Sequence, residues 1–173
     1  MFDNVVFHAT TPSEAGDILK QFGKNAKVVR TMPNLPIQYS QGIFPYLYNK
    51  HIKKLESTAL VKIFEKFGLA FELKDEKLFD AVTAIFGSGP AYIFLLQEIF
   101  TEIAISLGIK KEQSAKLVKK LFLGSALMSE FSDQDFSELR KSVTSKGGVT
   151  EAAIKSLEKN SNLKKTFKTA INA

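Results

Sequence analysis

Ser145, Gly147, Gly148 and Thr150 stand within Lys141-Ser142-Val143-Thr144-Ser145-Lys146-Gly147-Gly148-Val149-Thr150, and these residue types at this spacing can cradle an anion. Adjacent glycines let the backbone turn through positive φ and bring its N–H groups close to a ligand. The amphipathic residues Ala153, Ile154 and Leu157 follow at once, so a helix start would add its own unpaired donors. A carboxylate or phosphate fits such a loop, held by the Ser145 and Thr150 hydroxyls and the backbone. An ordinary helix-start loop, with Ser145 or Thr150 capping its own helix, fits the same residues. A second stretch, Gly87-Ser88-Gly89-Pro90, reads as another small-residue loop opening a helix, with proline at the first helical position. Other chemistry-bearing residues are sparse. Glu98 and Glu102 lie four apart and share a helix face, as an acid/base pair or as the polar stripe of a buried helix. Tyr92 is a proton donor or a packing residue, and His8 closes a strand with no identifiable partner.

Composition removes several functional classes. The chain has 173 residues, is 45% hydrophobic and contains no cysteine, so disulfides and thiolate metal sites are absent. His8 and His51 have no neighbours at metal-ligand spacing, and no metal is expected. The net charge of +6 invites a nucleic-acid reading, but the lysines are scattered over polar helix faces without interleaved aromatics. Only Arg30 and Arg140 are arginines, so a solvated lysine surface is the expectation and no nucleic acid is expected as partner. The longest apolar run, Ala91 to Leu96, ends at Gln97-Glu98, and the N-terminus has no long apolar h-region. The expectation is a cytoplasmic chain without a membrane span.

Periodicity orders the elements that must position these residues. Val5-Val6-Phe7 reads as a strand, Thr11-Pro12 as a helix start with Ala15, Ile18, Leu19 and Phe22 as its apolar stripe, and Lys27 to Met32 as a second strand. Ile43 to Tyr48 reads as a third strand, which Pro45 should confine to an edge. A helix from His51 to Phe67 and a brief strand from Leu69 to Leu73 complete this half. Beyond Lys74-Asp75-Glu76 nearly everything is helical: Leu78 to Phe86, Pro90 to Leu107, Glu112 to Met128, Phe136 to Ser142, Thr150 to Lys159 and Leu163 to Ile171. The expected fold class is therefore a partial α/β layer, residues 1–73, followed by an all-α domain, residues 74–173. The helix from Pro90 is apolar around most of its circumference, which points to burial against another subunit.

Val28-Val29-Arg30-Thr31-Met32-Pro33-Asn34-Leu35-Pro36, then Asp80 through Gly87-Ser88-Gly89-Pro90-Ala91-Tyr92, then Glu138-Leu139-Arg140 through Thr144-Ser145-Lys146-Gly147-Gly148-Val149-Thr150 together resemble pyrroline-5-carboxylate reductase. The resemblance implies reduction of the C=N bond of 1-pyrroline-5-carboxylate to L-proline, in proline biosynthesis, with NADPH or NADH. It implies a Rossmann domain followed by a helical dimerisation and substrate-binding domain, in a homodimer or higher homo-oligomer. The active site would lie between one subunit's cofactor and the other's helices. By this analogy Ser145, Gly147, Gly148 and Thr150 hold the substrate carboxylate and ring nitrogen, with the Thr150 hydroxyl as the catalytic hydrogen-bond partner of the imine. Met32, Pro33 and Asn34 border the cofactor.

Departures from the family pattern shape the rest of the expectation. The strand and Gly-rich turn that bind the cofactor pyrophosphate have no counterpart in the sequence. Thr10-Thr11-Pro12 stands where the family has a small Ala-Gly turn, Leu35 replaces a typical Thr and Lys146 a typical Pro. A truncated reductase follows, one that binds cofactor poorly and is impaired or inactive alone. Three readings remain open: a working reductase completed by a separately encoded N-terminal half, a non-catalytic homodimer that binds proline-like carboxylates, and a remnant without selected activity.

Overall fold

The computed structural model of the chain describes residues 6–172, so Val5 lies outside the described residues. It falls into two compact units, Met1–Tyr92 and Ile93–Ala173. The sequence changes character earlier, near Lys74, but the helical residues just beyond that point pack in the first unit.

The first unit is built on a four-stranded mixed sheet in the order β1 (Val6–Ala9), β2 (Lys27–Thr31), β3 (Gly42–Tyr48), β4 (Gly68–Glu72). β1 and β2 are parallel and are joined by helix α1 (Pro12–Phe22); β3 runs antiparallel to β2 and parallel to β4. α1 begins where the sequence predicts. Thr11 accepts from the Glu14 N–H at 3.2 Å while the Glu14 carboxylate reaches back to the Thr11 N–H, and Pro12 occupies the first turn. Thr11→Ala is expected to cost about 1 kcal/mol of stability in urea unfolding followed by circular dichroism.

Alternation along the strands puts the sheet's apolar residues on two faces. On one, Val29, Phe44 and Tyr46 form a core with Ile52 and Phe64, under helix α2 (Lys54–Phe64), and the Phe44 and Phe64 rings stack at 4.4 Å. On the other, Leu47 and Phe71 back a second core of Leu73, Phe79 and Val82, the last two from the short helix α3 (Leu78–Val82). This second cluster is why residues past Lys74 belong to the first unit.

Two expectations are corrected here. β3 is an internal strand, paired on both sides, although it contains Pro45. Pro45 sits one residue past the last β2–β3 pair, Thr31–Tyr46, where β2 leaves the sheet, so the missing N–H costs only the end of the ladder; its carbonyl still accepts from Met32 N–H at 3.2 Å. Likewise Gly87-Ser88-Gly89-Pro90 is not a loop. α3 runs on into a π turn, Thr83–Gly87, and helix α4 (Gly89–Ser106) begins after Ser88, whose φ and ψ are themselves helical. No positive φ is needed at Gly87 or Gly89.

The second unit contains most of α4 and then α5 (Lys111–Glu130), α6 (Phe136–Ser142), α7 (Val149–Glu158) and α8 (Asn162–Ile171). Phe100 and Phe122 meet edge to face at 5.6 Å. Among the described residues of this unit only Ser114 and Val118 are buried. Leu95, Ile99 and Ile103, one stripe of α4 at four-residue spacing, and Leu107 just past its end are each 40–78% exposed. The run Leu78–Ser106 is long and apolar enough to cross a membrane by length and composition.

Candidate functional site

The loop that joins α6 to α7 forms because α6 stops cleanly. Asp135 caps its start, accepting from Ser137 and Glu138 N–H, and beyond Ser142 the Thr144 hydroxyl donates to the Arg140 carbonyl at 2.6 Å. Ser145 to Gly148 is then a tight turn closed by Gly148 N–H donating to the Ser145 carbonyl at 3.1 Å. Gly147 takes φ +74 in its third position, which is the reason for glycine there. A Cβ on Gly148 would press on the Ser145 hydroxyl, which would have to rotate aside.

Gly148 is the residue at the start of α7, and no side chain caps that start. The reading in which Ser145 or Thr150 caps its own helix is therefore not what the fold does. Val149 and Thr150 N–H lie in the first turn, where an α-helix has no internal acceptor for them, and both Ser145 and Thr150 are exposed beside them. One residue missed by the sequence reading is Glu151. Its carboxylate accepts from Gly147 N–H at 2.6 Å and pairs with Lys155 at 2.9 Å. The Lys155 ammonium, and after it the Gly147 N–H, holds the Glu151 carboxyl below the usual glutamate range. A Glu three residues after a helix-starting glycine is the legible signal for that contact.

The residues expected at a cofactor, Met32, Pro33 and Asn34, follow β2 in the first unit. Met32 packs against the core of Leu73, Phe79 and Val82. Asn34 is buried and both polar atoms of its carboxamide make a hydrogen bond: Oδ1 accepts from Ile43 N–H at 2.8 Å and Nδ2 donates to the Phe86 carbonyl at 3.1 Å. That second bond joins the Met32-Pro33-Asn34 segment to the π turn, which sequence gave no means of seeing. Nearby, Arg30 stacks over the Phe79 ring at 3.9 Å to its centre, pairs with Glu76 and donates to the Thr10 carbonyl.

His8, without a partner in sequence, shares a hydrogen bond of 2.5 Å with the fully buried Thr31 hydroxyl across β1 and β2. Tyr92 donates its hydroxyl to the Ala84 carbonyl at 3.0 Å. Glu98 and Glu102 line a cleft between α4 and α5 together with Gln97, Thr101, Lys111 and Lys119, a polar rim on an apolar groove. No group of three or more His, Asp or Glu gathers to hold a metal among the described residues.

Residues 76–173 match the family described as pyrroline-5-carboxylate reductase dimerisation. A pyrroline-5-carboxylate reductase of Pseudomonas aeruginosa is 40% identical over 138 residues, 80% of this chain and 50% of that protein. A solved pyrroline-5-carboxylate reductase from Coxiella burnetii superposes with a TM-score of 0.88 at 34% identity, covering 97% of this chain and 62% of that one. A Plasmodium falciparum pyrroline carboxylate reductase, solved with NADP bound, superposes with a TM-score of 0.78 at 35% identity, covering 91% of this chain and 62% of that one. The chain spans about half the length of the curated relatives it matches.

Proposed function

Because the chain belongs to the pyrroline-5-carboxylate reductase family, we propose that it serves the reduction of 1-pyrroline-5-carboxylate to L-proline, with its turn Ser145–Gly148 and the start of α7 as the substrate carboxylate site. The observation that supports this is the set of donors where the turn enters α7: the Val149 and Thr150 N–H groups of a helix start with no side-chain cap, and the exposed Ser145 and Thr150 hydroxyls alongside. A carboxylate there gains charge-assisted hydrogen bonds and ~0.3 to 1 kcal/mol from the helix dipole. Fixing the carboxylate fixes the ring, and orientation is the main requirement for reducing an imine that is already electrophilic. On this reading Thr150 hydrogen-bonds the ring nitrogen, with Ser145, Gly147 and Gly148 around the carboxylate.

The cofactor of the proposed reaction is NADPH or NADH, which supplies hydride when bound. Met32 and Pro33 are proposed to border it through their backbone. Asn34, whose carboxamide already makes one hydrogen bond at each polar atom within the protein, is proposed to border it beside them. In a second reading the chain binds proline-like carboxylates without turnover.

The proposed partner is a second copy of the chain. A unit with two buried residues among those described leaves its apolar stripes exposed, and each large side chain withdrawn from water is worth ~1.5 to 3 kcal/mol. Lipid is the poorer cover, because Glu98 and Glu102 lie on the same helix and an acidic side chain at a bilayer centre costs about 3 kcal/mol. A cytoplasmic location accords with this.

Thr150→Ala tests the site. In a chain that oxidises NADPH with pyrroline-5-carboxylate, the variant is expected to lower kcat about 100-fold with smaller change in KM. Unchanged turnover would remove Thr150 from the site. In a chain without turnover, L-proline binding followed by NMR at the Gly147 and Thr150 amides separates the second reading from an empty loop.

A further inference from the structure

Two carbonyls of the π turn Thr83–Gly87, those of Ala84 and Phe86, accept from side chains rather than from the α ladder. Ser88 N–H donates to the Thr83 carbonyl five residues back, at 2.9 Å, and so not to the Ala84 carbonyl four back. Phe86 has Pro90 four residues ahead, which has no N–H to offer, and Ala91 N–H is taken by the Ser88 carbonyl at 2.9 Å. Part-buried carbonyls without donors are costly. Both are met by side chains: the Tyr92 hydroxyl on Ala84 at 3.0 Å and the Asn34 amide on Phe86 at 3.1 Å.

The geometry points to Asn34 and Tyr92 as a pair of positioning residues that lock the turn in π register and bind the Met32-Pro33 segment to it as one rigid piece. Asn34 completes the piece from the other side, since its Oδ1 holds Ile43 N–H of β3 at 2.8 Å and its own N–H donates to the Ile43 carbonyl at 3.3 Å. Met32 closes it, with its Cε beside the position a Gly87 side chain would take. Removal of either lock frees a carbonyl and lets the turn move toward α register, in which Ser88 N–H finds Ala84. Where Met32 and Pro33 border a nucleotide, as proposed above, the pair acts on nucleotide affinity through those two residues.

Amide hydrogen exchange on the chain, read by NMR, tests the lock without activity. Tyr92→Phe keeps the ring and removes only the hydroxyl. It is expected to speed exchange at Ser88 roughly fivefold to tenfold and to leave Val29, in the sheet, unchanged. Asn34→Ala should speed Ser88 and Ile43 together. Because both act on one turn, the double variant should depart from the product of the single effects. Unchanged exchange at Ser88 in Tyr92→Phe overturns the proposal, and so do independent effects of the two substitutions.

Titration with NADPH supplies the second arm. If the chain binds it, Tyr92→Phe and Asn34→Ala should weaken binding together. Weakening by Asn34→Ala alone, with Ser88 exchange unaltered, makes Asn34 a direct contact and overturns the proposal. Absence of NADPH binding to the unsubstituted chain counts against the nucleotide reading of residues 32–34, while exchange at Ser88 still decides the lock.

Discussion

Gly68→Ala is expected to destabilise the first unit by about 4 kcal/mol, the sum of ~1 to 3 kcal/mol for a strained backbone and ~1 to 3 kcal/mol for overpacking. Gly68 opens β4 at φ +141, where side chains are rarely tolerated, and its partner in the β3–β4 register is Gly42. A Cβ on Gly68 would stand on the Gly42 carbonyl and amide, which are backbone and cannot swing aside. Gly42 is closed in turn by Ile37 of the 3-10 turn Leu35–Tyr39. For a domain of ordinary stability that is a large fraction of the total. Urea unfolding by circular dichroism measures it, with Gly16→Ala as comparison: nothing lies within 4 Å of a Cβ there, and alanine in a helix is worth ~0.5 to 1 kcal/mol over glycine. Equal midpoints for the two variants would show that the Gly42–Gly68 contact yields more easily than its geometry says.

The second large effect concerns assembly. Ile99→Asp with Ile103→Asp is expected to convert the chain from a dimer or larger assembly to a monomer of 19.2 kDa in light scattering at micromolar concentration. Both residues lie on the exposed stripe of α4, and in a symmetric dimer each substitution buries two unpaired carboxylates. Several kcal/mol of desolvation result, a weakening of about a thousandfold or more. A wild-type chain that is already monomeric would reject the assembly, and binding of that monomer to lipid vesicles would assign the stripe to a bilayer.

What the sequence disclosed follows from the range of the forces involved. Local signals worked: Thr11-Pro12 with Glu14 marked the start of α1, Gly68 the end of the preceding helical stretch, and Ser145 to Thr150 a turn into a helix. α2 is shorter than its pattern, Lys54–Phe64 with a 3-10 turn to Phe67, because helix ends tighten without changing the apolar spacing. Long-range consequences were not readable. Pro45 lies inside the sheet because β2 happens to end beside it, which depends on register between distant segments. The small residues of Gly87-Ser88-Gly89-Pro90 looked like a loop, yet Asn34, far earlier in the chain, supplies the donor that lets the helix continue through them. The His8–Thr31 bond has the same origin, a pairing of strands that sequence order does not reveal. At the loop, the glycines were legible from their types, while Glu151 was overlooked because its helix position becomes meaningful only once Gly148 is known to start α7.

Phe79 and Val82 close one face of the sheet although they lie inside the stretch that matches the dimerisation family. During synthesis the strands therefore leave the ribosome before the residues that cover them, and the N-terminal layer cannot finish folding as an independent early product. Leu47, Phe71 and Leu73 stay uncovered until α3 has emerged.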